Sequence, residues 1–120
     1  MIVELTKTVS FEAAHRLPMV PAGHKCGRLH GHSYHVAITV KGPVRADGFL
    51  IDYDDIHAAW APLHEMLDHR YLNDLPGLEN PTTEHLARVI WRELAPHMPL
   101  HAVAIQETCT ERCTYYGPQA

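Results

Sequence analysis

The sequence predicts an α+β fold, an antiparallel β-sheet with two helices packed on one face. Three observations predict it. Two stretches in the first third alternate with period two, as half-buried strands do. Two later stretches repeat apolar residues at helical spacing. The strands and helices are segregated and do not alternate as β-α-β units, which argues against a parallel sheet.

Taken in order, Val3, Leu5, Lys7, Val9 and Phe11 share one parity, opposite Glu4, Thr6, Thr8 and Ser10. Residues 17–28 carry Pro18, Pro21, Gly23 and Gly27 and read as a loop. A loop of about a dozen residues inside a compact domain is usually functional. Residues 32–41 alternate again, with Val36, Ile38 and Val40 on one face, and Gly42-Pro43 ends the strand. The first two strands are expected to be antiparallel neighbours joined by the long loop. Asp47-Gly48 is a turn, followed by a short apolar run at 49–51 that is a candidate extra strand. Asp54 is the expected N-cap of a first helix, whose stripe is Ile56, Trp60, Leu63 and Leu67. Pro62 is expected to kink it or to break one backbone bond, and it ends near Asp68-His69. Asn80 or Thr82 caps a second helix striped by Leu86, Val89, Ile90 and Leu94. Residues 101–109 alternate once more, with Val103 and Ile105 on the face of Glu107. A strand stub is expected near Tyr115.

Composition bounds the function. The chain has 120 residues, 46% hydrophobic and 20% charged, with a formal net charge of -4. That balance excludes disorder and gives no global attraction to nucleic acid or an anionic membrane. No stretch approaches about 18 uncharged apolar residues, so no transmembrane span is expected. No basic segment with a following apolar run occupies residues 1–20, so no signal peptide is expected. The three cysteines, Cys26, Cys109 and Cys113, then read as free thiols of a reducing, cytoplasmic compartment. The exposed edges of such a sheet need cover, which oligomerisation supplies.

Eleven histidines in 120 residues are a heavy load. His30 and His32, two apart on an extended chain, leave the same face. His15 lies just past the first strand and comes near them if the two strands are neighbours. Three imidazoles from two strands make a catalytic zinc site with an open fourth position. A set without carboxylate or thiolate favours zinc, although imidazole also suits copper and nickel. The alternative is a set of buried, hydrogen-bonded histidines. Cys26 lies between the cations Lys25 and Arg28, which favour the thiolate and make it a candidate base or nucleophile. The rival readings are a fourth zinc ligand, which would close a structural site, and, more weakly, a structural thiol. In Asp68-His69, an Asp can hold the tautomer of a partner His and stabilise its imidazolium; alone, the dipeptide also fits a solvated helix end. Glu107 on an apolar face is costly unless paired. Its partner is a ligand with two parallel N–H donors, such as a 2-amino-4-oxo pteridine or guanine edge, or an internal Arg or Lys, unless the residue sits at an exposed strand end. The group His24, Lys25, Arg28 and Arg16 suits phosphates or ordinary surface charge.

Five separated blocks carry a family resemblance. They are Ser10-Phe11-Glu12-Ala13-Ala14-His15-Arg16-Leu17-Pro18, Gly23-His24-Lys25-Cys26-Gly27-Arg28-Leu29-His30-Gly31-His32-Ser33-Tyr34, Leu67-Asp68-His69-Arg70-Tyr71-Leu72-Asn73-Asp74, Asn80-Pro81-Thr82-Thr83-Glu84 and Glu107-Thr108-Cys109. In this order they resemble the 6-pyruvoyl tetrahydropterin synthase superfamily, and most of all its 6-carboxy-5,6,7,8-tetrahydropterin synthase branch of queuosine biosynthesis. The three residues between Cys26 and His30 resemble that branch; residues 111–116 depart from the family pattern.

The resemblance implies a single domain over residues 1–120 with the tunnelling fold, assembling as a homohexamer of two stacked trimeric barrels with sites at subunit interfaces. It implies a Zn2+ cofactor on His15, His30 and His32, and a catalytic Cys26 with Asp68 and His69 completing its triad. Glu107 would anchor the pterin, with Thr108, Lys25 and Arg28 as further substrate contacts. The substrate implied is 7,8-dihydroneopterin triphosphate, and the reaction a lyase reaction releasing acetaldehyde and triphosphate. The runner-up activities are 6-pyruvoyl-tetrahydropterin formation or another pterin side-chain cleavage, and less readily a non-catalytic zinc module.

Overall fold

The computed structural model describes residues 1–119. β1 spans Ile2–His15 and β2 spans His30–Pro43. They pair antiparallel without a slip, from Ile2 opposite Pro43 to His15 opposite His30. The inward parity of β1 continues past Phe11 through Ala13 to His15, so the strand is longer than the apolar pattern alone predicts. The outward parity is polar, and Thr6 and Thr39 join their hydroxyls across the strands at 2.8 Å. The loop between the strands is closed at its base by the Leu17 amide, which donates to the Cys26 carbonyl at 2.9 Å. A single turn of 3-10 helix at Lys25–Gly27 carries Cys26.

α1 runs over Tyr53–Leu67 and buries Ile56, Trp60, Leu63 and Leu67. Its N-cap is Asp52 rather than Asp54. Asp52 has the extended backbone of a cap and its carboxylate accepts from the Asp54 amide at 2.8 Å. Asp54 instead lies in the first turn, where negative charge complements the helix dipole. The helix is continuous through Pro62. The position four residues back, Ala58, is exposed like Pro62 itself, so water can serve the carbonyl that loses its donor. The apolar run at 49–51 forms no strand; Leu50 and Ile51 pack on the core from a bend.

After α1 comes β3, Arg70–Tyr71, which the sequence pattern does not foretell. It pairs parallel with Ala13 and Ala14 of β1, so the sheet is antiparallel except at this two-residue edge. α2 spans Thr83–Leu94, capped by Thr82, whose hydroxyl accepts from the His85 amide at 3.1 Å. β4 spans Leu100–Thr108 and β5 Glu111–Tyr115. The five strands lie in the order β3-β1-β2-β4-β5.

The core sits between one sheet face and the two helices. Phe11, Tyr34, Val36, Ile38, Val40, Val103 and Ile105 come from the sheet; Leu63, Leu67, Leu86, Ile90 and Leu94 come from the helices. Fully burying each such side chain contributes about 1.5–3 kcal/mol. Among the described residues, no helix is long and apolar enough to cross a membrane.

Candidate active site

The same parity that buries Phe11 and Val36 carries His15, His30 and His32 to the end of the sheet. Their ring centroids lie 4.5, 4.9 and 5.1 Å apart. One nitrogen from each falls within 4.8 Å of the others. The outer nitrogens are committed: His15 Nδ1 lies 2.9 Å from the Pro81 carbonyl and His30 Nδ1 lies 2.7 Å from the Arg28 carbonyl. A carbonyl only accepts, so both Nδ1 atoms carry hydrogen and both Nε2 lone pairs point inward. Those two Nε2 atoms are 2.9 Å apart. A shared proton or a metal cation removes their repulsion, and burial, the largest influence on His15, works against its protonated form.

His32 supplies the third inward nitrogen. Among the described residues its buried Nε2 has no hydrogen-bond partner. It lies 3.2 Å from Glu107 Oε1, a distance that brings charge close without the alignment of a hydrogen bond. Burial lowers the proton affinity of His32 and outweighs the opposing pull of Glu107. An orphaned, buried imidazole nitrogen facing two others is the donor set that a divalent ion completes. The three histidines are therefore positioned to bind a metal ion. The Cys26 sulfur is not among the ligand atoms of this cluster.

Glu107 is half-buried, and its close partner is His32 rather than the Arg or Lys that one reading allowed. A register irregularity between Gln106 and Thr108 marks this end of β4. Glu107 and Cys26 line one pocket of about 560 Å³, together with Thr83, Glu84, Arg112 and Cys113. Asp68 and His69 lie elsewhere. Asp68 Oδ2 accepts from His69 Nδ1 at 2.8 Å, and its Oδ1 accepts from the Glu12 amide at 2.9 Å. The Glu12 amide first, and then His69, hold the Asp68 carboxyl below its ordinary value. His69 has a left-handed backbone (φ 57°) and its amide donates to the Glu12 carbonyl at 2.6 Å. The His69 side chain is exposed, and it lines a second pocket of about 540 Å³ with Glu12, His32, Ser33 and Arg70. Within one chain, Cys26 and His69 thus face different pockets, and Asp68 meets His69 in a third, with His64 and Glu65.

Thr108 is half-buried at the end of β4 and its hydroxyl accepts from the Thr110 amide at 3.4 Å. Lys25 is exposed, and Arg28 is exposed beside a loop pocket with Arg16 and His24. Sequence reasoning missed three parts of the site. The Pro81 and Arg28 carbonyls are backbone groups with no side-chain signature. Tyr34, fully buried with its hydroxyl 3.2 Å from His15 Nδ1, was legible as the next residue on the His30/His32 face. Burial keeps the Tyr34 phenol far above its ordinary range, hence neutral.

The sheet, the helix pair and the three-histidine cluster define a metal-site α+β protein of a known structural class. Over 98% of its length the chain superposes on Caenorhabditis elegans 6-pyruvoyl tetrahydropterin synthase, with a TM-score of 0.90, 27% identity and 97% of that chain covered. It is 41% identical to a Synechocystis 6-carboxy-5,6,7,8-tetrahydropterin synthase, over 94% of this chain and 92% of the relative. It is 33% identical to a Bacillus subtilis protein of the same name, over 93% and 84%. Residues 4–118 match the family of 6-pyruvoyl tetrahydropterin synthase. The chain belongs to that family, with its tunnelling fold.

Proposed function

We propose that this chain is a zinc-dependent lyase that converts 7,8-dihydroneopterin triphosphate to 6-carboxy-5,6,7,8-tetrahydropterin, releasing acetaldehyde and triphosphate, in the queuosine pathway of the cytoplasm. The observation that carries the reading is the trio of converging imidazole nitrogens beside Glu107 and the Cys26 pocket. The two relatives named for this carboxy product support the branch, as does the three-residue spacing between Cys26 and His30.

His15, His30 and His32 would hold the zinc, which when bound supplies Lewis-acid polarisation of the substrate's side-chain hydroxyls. Glu107 accepts from the 2-amino and N3 hydrogens of the pterin and sets its orientation. Thr108 flanks that edge, and Lys25 and Arg28 take the triphosphate. Cys26, as thiolate, moves a proton at the substrate side chain. His69 carries the complementary proton and Asp68 stabilises its imidazolium. Because His69 and Cys26 of one chain face separate pockets, the triad is completed by a neighbouring copy. A homohexamer of single 1–120 domains supplies that copy and covers the sheet edges.

A second reading is 6-pyruvoyl-tetrahydropterin formation, favoured by a Drosophila melanogaster 6-pyruvoyl tetrahydrobiopterin synthase 33% identical over 95% of this chain and 79% of the relative. Incubation with 7,8-dihydroneopterin triphosphate and mass spectrometry of the products decides. Acetaldehyde with the 6-carboxy pterin is expected; a pyruvoyl product without acetaldehyde refutes the proposal.

A further inference from the structure

We propose that Tyr34 is a positioning residue of the metal site: its hydroxyl fixes the tautomer and tilt of the His15 ring and so sets metal affinity. The inference rests on the metal-site reading above and goes beyond it. Tyr34 stands on β2 on the same face as His30 and His32, the next inward residue. It is 0% exposed. Its ring stacks on Phe11, with centroids 4.9 Å apart and planes 12° apart, so it cannot swing freely. From that fixed seat it meets the rings of His15 and His32 nearly edge-on, at 6.0 and 5.6 Å.

A Phe would fill the same volume without burying an oxygen, and a buried hydroxyl is costly unless it is bonded. The hydrogen bond recorded for this hydroxyl is to His15 Nδ1, at 3.2 Å. That nitrogen already donates to the Pro81 carbonyl at 2.9 Å, so its hydrogen is shared between two oxygens, one from the loop before α2 and one from β2. Two acceptors from different elements define a plane for the His15 ring and hold the hydrogen on Nδ1. The Nε2 lone pair is left free and aimed at His30 and His32. Partners of this kind on a ligating imidazole are typically worth about 10–100-fold in metal affinity.

The test is Tyr34→Phe, which keeps the ring and its stack on Phe11. Wild type, Y34F and a control, Ile38→Val, are stripped with a chelator and titrated with Co2+ against a chromophoric competitor, with visible spectra and melting curves recorded. Ile38→Val thins the same core on the same strand away from the histidines. Expected is Co2+ binding weakened about 10–100-fold in Y34F with an altered ligand-field spectrum, and wild-type affinity and spectrum in I38V. Unchanged affinity and spectrum in Y34F overturn the inference. Equal weakening in I38V also overturns it, because the effect is then one of general stability. If the wild type itself binds no Co2+, the metal reading fails first and Tyr34 with it.

Discussion

His15 and His30 present their Nε2 atoms to each other at 2.9 Å, while the Nδ1 of each is committed to a backbone carbonyl. The arrangement follows from the β1–β2 register, which sets the two residues directly opposite. Two imidazoles held this way are pre-oriented as ligands before any ion arrives, and His32 closes the triangle. His30→Ala and His32→Ala are expected to lose stoichiometric metal while the stripped protein melts within a few degrees of wild type, because both rings are only half-buried. His15→Ala should lose metal and stability together, its ring being fully buried. Metal analysis and thermal melts check this; full metal occupancy in His32→Ala would contradict it.

Cys26→Ala is expected to lower turnover by about 10²–10⁴-fold, the usual worth of a positioned acid–base group. Zinc should stay bound, since the Cys26 sulfur lies outside the ligand cluster. Turnover and zinc content measured on one preparation separate the two roles. Full activity removes Cys26 from the mechanism, and loss of zinc makes it a ligand.

Glu107→Ala should chiefly weaken pterin binding. Charge-assisted hydrogen bonds to a buried partner are worth about 1.5–3 kcal/mol, or about 10–100-fold in affinity. Calorimetry with a non-reacting pterin gives the number directly. Unchanged affinity contradicts the anchor role.

The histidines also set a pH dependence. Burial lowers the proton affinity of His15 and His32 below the ordinary imidazole value of 6.5. Below that value the unfolded chain binds protons that the folded chain does not, so stability falls as pH drops toward the folded values. Above it both states are neutral at these rings and their slope vanishes. Asp68 acts in the same sense, lower down. Its depressed value adds stability that is full above 3.8 and is lost as pH falls through the folded value. Melting temperatures of the metal-free protein between about pH 5 and 8 should fall on the acid side, less steeply in His32→Gln. Identical slopes in the two proteins would show that His32 does not contribute.

Much of this was legible in the residues because strand parity is a strict signal. Val3 to Phe11 and Val36 to Val40 alternate cleanly, and the same parity places His15, His30 and His32 on one face. Parity also brought Glu107 to the inward side of β4. Other features carry no such signal. β3 is two residues held by the backbone of β1. β5 begins with polar residues whose strand state comes from pairing with β4. The first helix cap is Asp52, two residues before the expected Asp54, because the same residue type stands at both positions and only the backbone angles and the capping bond separate them. The two carbonyls that fix the histidine tautomers have no residue type to announce them. That Cys26 and His69 face different pockets depends on which side of the sheet each loop leaves, which periodicity does not encode.

The most direct test is X-ray absorption at the metal edge of the purified protein with a pterin bound. The account predicts one zinc per chain, coordinated by three imidazole nitrogens, with the remaining position taken by oxygen. A sulfur neighbour at about 2.3 Å, or no stoichiometric metal, would contradict it.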